Sequence, residues 1–107
     1  MTAAPARVEI AGDTLTVSGD IGPLNVLPVR AQGESLIAAA GGDLTVDLTA
    51  MAAAHSVVLS LLLCWQRQAA SQGKTLMFSG ASDRLVSLAS LSNLDDQFPG
   101  FREKTPG

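Results

Sequence analysis

The alternating segment Leu44-Thr45-Val46-Asp47-Leu48 and a second strand candidate, Lys74 to Ser79, bracket a stretch from about Val57 to Gln72 whose apolar residues belong to a helix. A strand, a helix and a strand in that order leave few options. Strands joined this way run parallel through a crossover, and such crossovers are right-handed. The chain must therefore lay helix on sheet. Period-two alternation marks strands with one buried face and one face that stays wet or meets a partner, so the helices are expected mainly on one side.

Upstream, Arg7 to Ala11 and the alternating Thr14-Leu15-Thr16-Val17-Ser18 flank a Gly12-Asp13 turn and should pair as a hairpin. Gly19 to Asn25 is a loop by its glycines and proline. Asn25 is placed to cap a helix whose first turn accepts Pro28, since no amide donor is needed there. Val29, Gly33, Leu36, Ile37 and Ala40 share one face of that helix, and Gly41-Gly42 stops it. Downstream, Gly73 suits the C′ position of the apolar helix. Ser82-Asp83 caps a third helix built on Leu85, Leu88 and Ala89, and Asn93 ends it. Phe98 and Phe101 sit in a tail before the polar residues 102–107, which are expected to fray. The segments GDTLTVSG from Gly12 and GKTLMFSG from Gly73 share five residues in eight, the same strand solution reached twice. The order β-β-α-β-α-β-α predicts an α/β fold with a small mixed sheet of four to five strands and helices mainly on one face. At 107 residues the chain encloses one modest core, so a single domain over 1–107 is expected, ordered over about 7–101.

The apolar helix sets a problem for so small a fold. From Val57 to Leu63 only Ser60 is polar, and the chain is 47% hydrophobic and 16% charged. A helix apolar nearly all round is expected to need a cover beyond its own domain. Nucleic acid is excluded as that cover: the net charge is −3 and the seven Lys and Arg are scattered, whereas phosphate binding needs a basic patch. Membrane insertion is not expected either. Leu48 to Trp65 is interrupted by His55, Ser56 and Ser60 and falls short of the ~20 apolar residues of a span. The start of the chain has no apolar h-region, which reads as cytoplasmic. Cys64 is the sole cysteine, so neither an internal disulfide nor a cysteine-based zinc site is available. With no glycine-rich phosphate loop, no cofactor, metal or nucleotide is expected. Cys64 and Trp65 read first as core residues of the apolar helix, Trp65 alternatively as an interface anchor. The pair Asp95-Asp96 reads as a solvated face.

His55 and Ser56 precede the apolar run. Ser56 stands where an N-cap would satisfy an orphan amide, and His55 reads as a loop residue. Hydrolysis with Ser56 as nucleophile and His55 as base is disfavoured, because neighbouring side chains diverge and no G-x-S-x-G elbow surrounds the serine. A phosphate on Ser56 would meet the positive end of the helix and change the charge shown to a partner. Asp20 and Asp47, at strand ends, are either caps or hydrogen-bond partners of Ser56.

The run of VSGDI (Val17 to Ile21), LTVDLTAMAAAHS (Leu44 to Ser56), LLLCWQRQAASQGKTLMFSGAS (Leu61 to Ser82) and the spacing of Leu85, Leu88 and Leu91 resembles STAS domains, the family of anti-sigma factor antagonists and of the cytoplasmic ends of sulfate transporters. Within it, the leucine-rich second helix and the Leu27-Pro28-Val29-Arg30 start of the first are most similar to the branch that serves Mla phospholipid-transport systems. The resemblance implies a non-catalytic module that binds and supports the ATPase subunit of an ABC transporter, held peripherally at the inner membrane, where the complex maintains outer-membrane lipid asymmetry. It implies contacts through Arg30, His55, Ser56, Val57, Leu59 and Ser60. The alternative is an anti-sigma factor antagonist phosphorylated at Ser56 by an anti-sigma factor kinase. The family's usual acidic residue before the serine is His55 here, which favours contact over phosphate acceptance.

Overall fold

The hairpin and both crossovers are present in the computed structural model, which describes residues 6–52 and 55–101 apart from the Asp95 side chain. The expectations for residues 1–5, for the Asp95 side chain and for the polar tail 102–107 lie outside the described residues. β1 (Arg7–Ala11) and β2 (Thr14–Ser18) pair antiparallel, with Val8 opposite Val17 and Ile10 opposite Leu15. The chain crosses through α1 (Val26–Ala39) to β3 (Leu44–Asp47) and through α2 (Ser56–Ser71) to β4 (Leu76–Ser79). β3 pairs parallel to β2 and β4 parallel to β3, in the order β1-β2-β3-β4. α3 (Asp83–Leu91) and a 3-10 turn at Asp95–Gln97 follow. Alternation decides which face is covered: Val8, Leu15, Val17, Leu44, Val46, Leu76 and Phe78 are buried, whereas Thr16, Thr45, Asp47 and Met77 are partly or fully exposed. The two echoing segments are β2 and β4, the parallel neighbours of β3. No described helix is long and apolar enough to cross a membrane.

The helix ends follow local chemistry. At the end of α2, Gly73 has φ +72°, Gly73 N–H donates to Ala70 C=O at 3.1 Å and Lys74 N–H to Ala69 C=O at 2.8 Å. This left-handed closure favours glycine because it has no Cβ. Asn93, at φ +58°, closes α3 the same way, and Ser82 Oγ caps its start by accepting from Leu85 N–H at 3.1 Å. Two expected caps are corrected. Asn25 precedes α1, but its Oδ1 accepts from Gly22 N–H at 2.8 Å and its Nδ2 donates to Asp20 C=O at 2.9 Å, so it ties the loop instead of the helix. Ser56 is already the first helical residue, and it is exposed. His55 holds the cap position on extended backbone, with no side-chain cap bond.

The largest correction concerns α2. Val58, Leu59, Leu61, Leu62, Trp65 and Ala69 are each at most 3% exposed, enclosed by the sheet, α1 and α3. Gly33 lets α1 approach: a Cβ there would stand inside the Trp65 ring, whose Nε1 donates to Arg30 C=O at 3.1 Å. On the far side Gln66 Nε2 donates to Gln97 C=O at 3.2 Å, binding α2 to the segment after α3. There Phe98 and Phe101 are buried, meeting Phe78 edge to face at 5.5 and 5.7 Å between centroids. The chain therefore covers its own apolar helix. What α2 shows to solvent is a stripe of Ser56, Ser60, Arg67 and Ser71, with Leu63 and Cys64 half-buried. The exposed leucines lie elsewhere: Leu24 and Leu27 at the start of α1, fully and 69% exposed, and Leu91 on α3.

Candidate docking surface

The loops leaving the carboxyl ends of β2, β3 and β4 gather where α1 and α2 begin. Asp47, the last residue of β3, turns the chain by accepting from Thr49 N–H at 3.0 Å. The Thr49 hydroxyl and then its amide hold this carboxyl below its ordinary value, since both favour the charged form. The loop is pinned to the end of β2 by Gly19 N–H to Ala50 C=O at 3.2 Å and Ala52 N–H to Gly19 C=O at 2.8 Å. The next residue, Asp20, reaches His55 with Oδ1 and Nε2 3.1 Å apart, an ion pair whenever the imidazole is protonated. Because Asn25 holds Asp20 C=O, the series Asn25, Asp20, His55 joins the start of α1 to the start of α2.

His55 and Ser56 are both exposed at this end of the fold. His55 is turned toward Asp20, and the exposed Ser56 hydroxyl has no hydrogen-bond partner among the described residues. Nucleophile and base are therefore not brought face to face. A cleft of about 450 Å³ runs from the β3 loop to the start of α3, past Thr49, Met51, His55, Ser82 and Arg84. Among the described residues no three His, Cys, Asp or Glu side chains converge as metal ligands.

The residues singled out from the sequence divide into three groups. His55, Ser56 and Ser60 are exposed together at the start of α2, and Val57 beside them is half-buried. Leu59 faces the core at 3% exposure and has almost no side-chain surface to offer a partner. Arg30 is exposed but lies on α1 opposite Trp65, about 13 Å down α2 from Ser56 at the rise of an α-helix. Its guanidinium is occupied by Glu34 at 2.9 Å, and that hydrogen bond holds its pKa above the ordinary value. Asp47 serves the turn and Asp20 serves His55, so neither partners Ser56. Sequence reasoning passed over Leu24 and Leu27. The signal was available, since Leu27 falls two residues before Val29 and so off the face formed by Val29, Gly33 and Ile37.

Among solved structures, one chain of the Acinetobacter MlaFEDB complex in its ATP-bound Vtrans2 conformation superposes with a TM-score of 0.72 at 24% identity, over 79% of this chain and 90% of that one. The anti-sigma factor antagonist SpoIIAA in its unphosphorylated form superposes with a TM-score of 0.69 at 15% identity, over 88% and 85% of the two chains. An anti-sigma factor antagonist from Mycobacterium paratuberculosis gives 0.68 at 20% identity, over 89% and 82%. At these identities the likeness is one of fold. No curated protein matches the chain significantly. Residues 6–103 match the family model described as Mlab, STAS domain, and the chain belongs to this family of STAS domains.

Proposed function

We propose that the chain is a docking subunit without chemistry of its own, which binds and supports the ATPase subunit of an Mla-type phospholipid-transport ABC complex that maintains outer-membrane lipid asymmetry. In this reading it sits in the cytoplasm against the inner membrane, held there by its partner. The observation that carries it is the juxtaposition at one end of the fold: two strongly exposed leucines, Leu24 and Leu27, at a helix start that Asn25, Asp20 and His55 join to the start of α2, where Ser56 is exposed. Apolar anchors beside polar groups suit a protein partner. Family membership and the fold of a chain in the MlaFEDB complex support the choice of an ABC ATPase. His55, Ser56, Val57 and Ser60 with Leu24 and Leu27 form the contact, and Arg30 lies at its margin or beyond it.

A second reading, an anti-sigma factor antagonist switched by phosphorylation of Ser56, is favoured by the exposure of Ser56 at the positive end of α2 and by the likeness to SpoIIAA. One experiment separates the two. Tagged chain recovered from its native host is analysed by mass spectrometry for co-purifying proteins and for phosphate on Ser56. An ABC ATPase subunit with unmodified Ser56 is the expected result, whereas a kinase partner with stoichiometric phosphate on Ser56 supports the regulator.

A further inference from the structure

The two edges of the sheet are finished differently. On β4, Phe78 N–H donates outward to Pro99 C=O at 2.8 Å, and Gly100 sits so close to the Phe78 carbonyl that a Cβ would not fit. That edge is closed. On β1, no described residue outside β2 pairs with the strand. An open edge offers a row of unpaired backbone groups to another chain.

The backbone phase tells which groups are free. Thr45 N–H donates to Asp13 C=O at 2.9 Å, so odd-numbered residues along β2 turn toward β3 and the even-numbered Thr14, Thr16 and Ser18 turn toward β1. Their partners Ala11, Glu9 and Arg7 therefore bond to β2, and Val8 and Ile10 direct both polar backbone groups outward. The turn gives the same phase independently. Ala11 and Thr14 flank a two-residue turn with Gly12 at φ +62°, and the residues flanking such a turn form a bonded pair.

From this geometry we infer that β1 is a self-association edge, where two copies of the chain pair antiparallel about Val8 into one continuous eight-stranded sheet. The side chains select the register. Arg7 and Glu9 are exposed and form no ion pair among the described residues. Pairing centred on Val8 sets Arg7 opposite Glu9 of the second copy, twice by symmetry, while Val8 exchanges both backbone bonds with its counterpart. Centring on Glu9 sets the two Glu9 side chains against each other, which like charge opposes. Centring on Ile10 carries Arg7 past the end of the partner strand. Half-buried Ile10 and Leu36, beside a groove of about 470 Å³ between β1 and α1, supply apolar contact. The two-fold axis stands perpendicular to the sheet, so the two docking surfaces point to opposite ends and both stay free. This inference does not depend on the proposed function.

Sedimentation of the full chain over a concentration series at low salt tests it. The expected mass rises from 11.0 kDa toward twice that value. Glu9→Arg alone and Arg7→Glu alone should each weaken self-association about tenfold or more, since symmetry counts every pair twice. The double variant Arg7→Glu, Glu9→Arg exchanges the charges and should restore it. Circular dichroism checks that each variant folds. A mass of 11.0 kDa at every concentration overturns the inference. So does a dimer that the single reversals leave intact, or a folded double variant that fails to recover.

Discussion

Ser56 is the first residue of α2, exposed, and the first turn carries no acidic side chain. The positive end of the helix is thus uncompensated, and Ser56→Asp should raise stability by about 0.3–1 kcal/mol in urea unfolding. The same electrostatics explains how the fold would accept a phosphate there. Asp47 ties stability to pH. Its folded pKa lies below the ordinary carboxylate value of 3.8, so its contribution is complete above that value and is lost as pH falls from there through the lowered one. Asp47→Ala should be less stable than the parent by about 0.5–1 kcal/mol at neutral pH. The gap should close in unfolding curves taken below the ordinary carboxylate value, and a gap constant across that range would detach Asp47 from the acid response.

At the scale of elements, the sheet and the two helices that flank α2 decide what it shows to solvent. Gly33→Ala would push a methyl into the fully buried Trp65 ring and separate α1 from α2. Overpacking of this kind typically destabilises by about 1–3 kcal/mol. The midpoint of denaturant unfolding reads it directly. Leu59→Asp should unfold the domain, since Leu59 is buried, whereas Ser60→Asp one residue on should leave the circular dichroism spectrum intact. Equal tolerance of the two would contradict the orientation of α2. The strands and helices were legible because period two and period 3.6 leave distinct marks: β1 and β2 carry the expected limits, and α2 begins one residue earlier than read. The covering of α2 was not legible. Periodicity reports that a helix is apolar all round, but which elements lie on each side is a tertiary fact, and Phe98 and Phe101 read as tail residues until they were seen against Phe78.

At the scale of the molecule, covering α2 moves the sticky surface to the start of α1. Part of that site was readable from the sequence: the order of elements puts His55 and Ser56 at the carboxyl end of the sheet, where parallel α/β folds gather their contacts. The partnership of His55 with Asp20 was not, because the two are 35 residues apart and joined only by the fold. Leu24 and Leu27 complete the surface, and their exposure makes it testable without harming the core. Leu27 occupies the first turn of α1, which has no acidic residue, so an aspartate there should be neutral or slightly stabilising. The most direct measurement is therefore a titration of the purified Mla-type ATPase subunit with the parent chain and with Leu27→Asp, each first checked by circular dichroism. We predict an unchanged spectrum and binding weakened about tenfold or more, as expected when an apolar anchor gives way to a charge that must be buried without a partner. Equal affinity of the two folded proteins would contradict the account.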